Sequence, residues 1–159
     1  MIDLLQAQYN DVKGARKVLL DYCAGIRNLD LFKPVDEFNG NSIIKLLVHN
    51  ANVYLHWLQY FDQQYAGEYF NDEEIESVED LKAIYAQADG VVSNFIIKYK
   101  GNYLQTFSKR TSSGNKLVTT TPLQLFTHTI THEFHHKGQI LTMSRLLGYT
   151  PVDTDVIRT

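Results

Sequence analysis

The sequence predicts an all-α fold, an antiparallel four-helix bundle with one long crossover that carries room for a short hairpin. Three observations lead there. Four stretches place apolar residues at steps of three and four, the mark of one buried helical face. Short connections join all but one neighbouring pair. The exception, residues 102–120, is rich in Thr and aromatic residues around a "SSGN" turn, as expected of two short extended pieces. The 159 residues suffice for one domain, 1–159, with its own core.

The first helix is expected over residues 2 to about 27, where Leu5, Tyr9, Val12, Ala15, Leu19, Tyr22 and Ile26 form the stripe. Pro34 and Gly40 mark a connection over 28–40. Asn41 or Ser42 then caps a second helix, striped by Ile43, Leu46, Leu47, Asn50, Val53, Tyr54, Trp57, Leu58 and Phe61. Ser77 opens a third, with Asp80 three residues on as a shorter capping box, and Gly101 stops it. Thr121 followed by Pro122 begins the fourth, which runs through a histidine-rich stretch to about Leu147 and stops at Gly148. Residues 149–159 form a tail.

Composition narrows the function. Hydrophobic residues make up 44% and charged residues 21%, ordinary for a globular protein, and the formal charge is −3. A chain built to coat nucleic acid usually carries a basic excess, and there is no basic stripe; Lys109, Arg110 and Lys116 fall in the Gly/Ser-rich crossover and read as solvated. No signal peptide and no run of about 18 apolar residues is present, so a cytoplasmic protein without a membrane span is expected. The single Cys23, in an apolar stripe, reads as a small buried hydrophobe.

The fourth helix contains "THEFHHKGQI". His132-Glu133-Phe134-His135-His136 matches the H-E-x-x-H pattern of zinc peptidases letter for letter. Only 23 residues follow His136, and no sheet-bearing N-terminal half precedes it, so a peptidase fits poorly. On a helix, His128, His132 and His136 form a line, while His135 turns about 100° away from His136. Two imidazoles one turn apart can share a metal ion; three cannot, because i to i+8 spans about 12 Å. A further ligand must come from elsewhere, and His49 or His56 on the second helix could meet the pair across the interior. Glu133 is expected to be a solvent-facing or supporting carboxylate rather than a base. Gly138, costly inside a helix, calls for close approach of another helix or of a bound group.

"SIIKLLVHNANVYLHWLQYF" and, some 80 residues later, "HTITHEFHHKGQILTMSRLLGYTPVDTD" resemble the DinB/YfiT-like metal-binding four-helix bundles. The resemblance spans nearly the whole chain in helix order. It is most specific in H-x-x-x-H followed by basic-Gly-Gln-Ile and Leu-Gly-Tyr-x-Pro-x-x-x-Asp. It implies that His49, eight residues before Trp57, binds a divalent metal together with His132 and His136, and that His135 is a neighbour, not a ligand. Nitrogen ligands suit zinc, nickel or iron(II). The resemblance further implies small-molecule chemistry, foremost transfer of a low-molecular-weight thiol to an electrophilic substrate. The alternatives are a non-catalytic metal-binding or stress-associated protein, and a metallohydrolase using metal-bound hydroxide. Tyr54, Tyr103 and Asn50 are candidate polar groups near the site. A homodimer is expected, since bundles of this family commonly pair and the chain holds ten Tyr, eight Phe and one Trp.

Overall fold

The computed structural model describes residues 3–111 and 115–158. It is mostly helical. Four long helices account for the expected ones: α1 (Leu4–Ala24), α3 (Ile43–Leu55), α4 (Val78–Lys98) and α5 (Pro122–Leu146). A one-and-a-half-turn α2 (Asn28–Phe32) lies in the first connection, where periodicity gave no sign of it. Helix α1 stops earlier than expected. Gly25 caps it, and its N–H bonds to the carbonyls of Cys23 and Tyr22.

The start signals act as their chemistry requires. Ser42 accepts from Lys45 N and caps α3. Ser77 with Asp80, and Thr121 with Gln124, each close a capping box in which side chain and backbone bond reciprocally. Pro122 takes the first helical position of α5. Gly101 and Gly148, just beyond α4 and α5, adopt φ of +83° and +92°, which a side chain would resist.

Helix α3 does not end at Leu55; the chain continues as a π-helical stretch, His56–Phe61. In the crossover, β1 (Phe107–Arg110) pairs antiparallel with β2 (Leu117–Thr120), with Phe107 opposite Thr120 and Arg110 opposite Leu117. Of the "SSGN" turn, residues 112–114 lie outside the described residues. Buried Asp62, at the end of the π-helical stretch, ties the hairpin down. It accepts from Lys109 (3.0 Å) as well as from Lys98 (2.6 Å) and the Tyr99 hydroxyl.

Helices α1 and α3 each pack on both α4 and α5. Two apolar clusters fill the interior. One holds Leu19, Cys23, Leu47, Leu81, Ile140 and Met143. The other holds Leu5, Val12, Tyr54, Leu58, Phe95 and Phe126. Cys23 is fully buried, and burial pushes its thiol up to about 12, so it is a packing residue. No described helix is long and apolar enough to cross a membrane.

Where the two clusters meet along the helices lies a layer of charge. Arg16 of α1, 4% exposed, holds Glu133 of α5 with two bonds, Nε to Oε1 at 2.8 Å and Nη2 to Oε2 at 2.9 Å. Its Nη1 donates to Asp89 of α4 at 2.6 Å, and its guanidinium lies 4.4 Å from the Tyr85 ring centre. Tyr54 of α3 donates to Glu133 at 2.5 Å, and Tyr9 to Asp89 at 2.6 Å. Burial, the largest influence, would by itself lower the Arg16 pKa, but Glu133, Tyr9 and Tyr54 together outweigh it and hold the guanidinium well above its ordinary value. All four long helices contribute to this layer.

Candidate metal centre

Three histidines converge at the surface of α3 and α5. His49 Nε2 lies 2.9 Å from His132 Nε2, and His136 Nε2 lies 3.0 Å from the same atom. The three nitrogens all fall within 4.8 Å of one another. Helix geometry makes this possible: His132 and His136, one turn apart on α5, present a pair, and His49 reaches it from α3. The structure therefore brings together the three residues expected as ligands.

The donor set fits a cation. His136 Nδ1 lies 2.5 Å from Gln139 Oε1, an acceptor, so this nitrogen carries the proton and Nε2 keeps its lone pair. His132 Nε2 has either one hydrogen or one lone pair, so it can satisfy only one of its two neighbours by hydrogen bonding. One divalent ion would satisfy all three. The neutral form required of a ligand is also the favoured one. Burial lowers the pKa of each imidazole. For His132, burial and then its neighbours His136, His49, His128 and His135 push it down to about 4.

The remaining histidines stand outside the convergent set. His135 is exposed, its ring centre 5.0 Å from that of His136. His56 Nδ1 hydrogen-bonds the Tyr69 hydroxyl at 2.8 Å. His128 packs edge-on against Trp57, 5.3 Å between ring centres. Both line a cleft of about 390 Å³ that opens beside His49 and His132.

Several expectations change. Glu133 neither faces solvent nor supports the histidines: it is 5% exposed, and both carboxylate oxygens are engaged by Arg16 and Tyr54. The H-E-x-x-H match thus places two candidate ligands of the triad around a glutamate that belongs to a core ion pair. Tyr54 is committed to Glu133, and the Tyr103 hydroxyl to Asp3 and the Ile96 carbonyl. Asn50 is buried in the core near the Tyr85 hydroxyl. None of the three lines the cleft. A Cβ at Gly138 would meet nothing within 4 Å, so no close approach of another helix explains that glycine.

Sequence reading named Gln139 and Lys137 only within the basic-Gly-Gln-Ile motif and gave neither a role. Gln139 sets the His136 tautomer, and its i+3 spacing was a usable signal. The Lys137 side chain is 7% exposed and donates to the Thr154 carbonyl at 2.6 Å, fastening the C-terminal tail beside His136.

Comparison with known families agrees with the geometry. The model of the DinB family matches residues 1–159, the whole chain. The chain belongs to the DinB family. Compared with curated proteins, it has no significant match. Within the family's frame, the histidine pair of α5 and the single histidine of α3 are the features that this DinB chain offers to a metal.

Proposed function

We propose that this DinB-family chain is a divalent-metal-dependent enzyme, with His49, His132 and His136 as ligands, that transfers a small thiol to an electrophilic small molecule. The observation that carries the reading is the convergence of three neutral imidazole nitrogens beside an open cleft. Zinc, nickel or iron(II) would be held there, and any of them supplies a Lewis acid with room for exchangeable ligands. The chain's own residues do the positioning. Gln139 holds His136 in the ligating tautomer, and the rings of Trp57, His128 and Tyr69 line the cleft. An antiparallel four-helix bundle is part of the reading, supported by the contacts of α1 and α3 with α4 and α5.

Alanine at His49, His132 or His136 is expected to remove most bound metal, whereas His135→Ala retains it. Metal analysis of the purified variants decides this, and equal metal in all four would exclude the triad. Turnover of an electrophile that depends on added thiol tests the reaction; hydrolysis without thiol would favour a hydrolase instead.

A homodimer belongs to the same proposal. Leu4, Ile97 and Leu104 are 81%, 72% and 74% exposed, at an end of the molecule where the Tyr103 hydroxyl joins Asp3 to the Ile96 carbonyl. Light scattering at micromolar concentration should give twice the chain mass; the mass of one chain would count against it.

A further inference from the structure

The cleft beside the triad has a chemistry of its own. At about 390 Å³ it is of the size that takes small molecules. Six of its eight lining residues carry rings: the ligands His49 and His132, together with His56, Trp57, Tyr69 and His128. Among the described residues, no lysine, arginine, aspartate or glutamate lines it. A ligand with several charges would lose its hydration there and gain no ion pair. A flat ring would find faces and edges to pack on.

The outer wall is built, not incidental. Tyr69 comes from the loop after the π-helical stretch, and that loop is pinned on both sides of it. Asn52 of α3 bonds Phe70 twice, Nδ2 to the carbonyl at 2.9 Å and the amide N to Oδ1 at 2.8 Å. The Tyr60 hydroxyl donates to the Glu68 carbonyl. Gly67 lies so close to the Tyr60 ring that a Cβ would run into it, so a larger residue there would displace the ring. Tyr69 then stacks on His56, with ring centres 6.2 Å apart and planes 25° apart, besides hydrogen-bonding it. The Asn52 amide is thereby occupied by backbone, which leaves the cleft few polar groups apart from imidazoles and one phenol.

We propose that this cleft recognises the ring of an uncharged aromatic small molecule whose own donor atom reaches the three histidines. This specifies the substrate class of the metal centre and rests on that reading. Tyr69 and Trp57 are the specificity-determining side chains, and His56 positions Tyr69.

Trp57 is the chain's one tryptophan, so its fluorescence reports on the cleft directly. Zinc-loaded protein is titrated with phenylmethanethiol and with mercaptosuccinate, and zinc content is measured alongside. Each offers one aliphatic sulfur; the first adds a ring, the second two carboxylates. Phenylmethanethiol should bind at least tenfold more tightly. Tyr69→Ala should weaken it roughly fivefold, the effect of one lost aromatic contact. Tyr69 is 46% exposed, so its removal opens no core, and zinc content and mercaptosuccinate affinity should stay unchanged. Equal or tighter mercaptosuccinate binding, or indifference of phenylmethanethiol to Tyr69→Ala, overturns the proposal. Benzyl alcohol titrated into chelator-treated wild type separates the two readings. Quenching that Tyr69→Ala weakens supports the ring site even if zinc never binds; absence of quenching sinks it even if zinc does.

Discussion

Glu133→Ala is expected to lower the stability of the fold by about 3–5 kcal/mol, the loss seen when one partner of a buried ion pair is removed. The substitution strands Arg16, which is 4% exposed. Asp89 would still hold one arm, and Tyr54 would keep a buried hydroxyl with its acceptor gone. Arg16→Ala strands Glu133 in the same way. Replacing both with apolar residues of similar size, as in Arg16→Met with Glu133→Leu, should recover most of the loss, because such pairs rarely outperform good packing. Urea unfolding of the two single variants and the double variant measures the coupling. Single variants that unfold within about 1 kcal/mol of wild type would mean that the charge layer is not a structural clamp. Metal content at neutral pH should survive Glu133→Ala under folding conditions, which separates this carboxylate from the ligands that flank it.

Legibility in the sequence followed the range of the interactions. Helices announced by a local cap, at Ser42, Ser77 and Thr121, appear within a residue or two of where they were expected, since the cap and its partner lie within one turn. Helix α2 and the π-helical stretch were not legible. Five residues give too little periodicity, and a change from four to five residues between bonded groups leaves no composition signal. The three histidines were placed by spacing and by family resemblance. His49 rather than His56 joins the pair because it lies level with His132, whereas His56, seven residues further along the same face, hydrogen-bonds Tyr69. Glu133 was misread because its partner lies 117 positions away in sequence. Arg16 stands next to the apolar stripe of α1, and no local pattern shows that an arginine there points inward.

Acid should empty the metal centre over a window set by the histidines themselves. Unfolded, each imidazole titrates near 6.5. Folded, burial lowers His49, His132 and His136, and His132 reaches about 4 with help from its neighbours. Between about 6.5 and 4 the unfolded chain therefore binds more protons than the folded one, so stability falls as pH falls; above 6.5 both states are neutral and this contribution is constant. Protons and metal compete for the same lone pairs. Occupancy should hold at pH 7 and fall steeply only as pH approaches the lowered folded-state values, about 4 for His132, with more than one proton taken up per ion released, as potentiometric titration with parallel metal analysis would show. A metal held by the triad would also link α3 to α5 and would bind only the folded chain. At a thousandfold excess over its dissociation constant it adds about 4 kcal/mol. For a domain of this size that is on the order of 10 °C in melting temperature. A chelator at pH 7 should lower the melting temperature of wild type by that order and leave His132→Ala, already without metal, unmoved. An identical melting curve with and without chelator, on wild-type protein shown to have contained metal, would mean that the ion does not bridge the two helices.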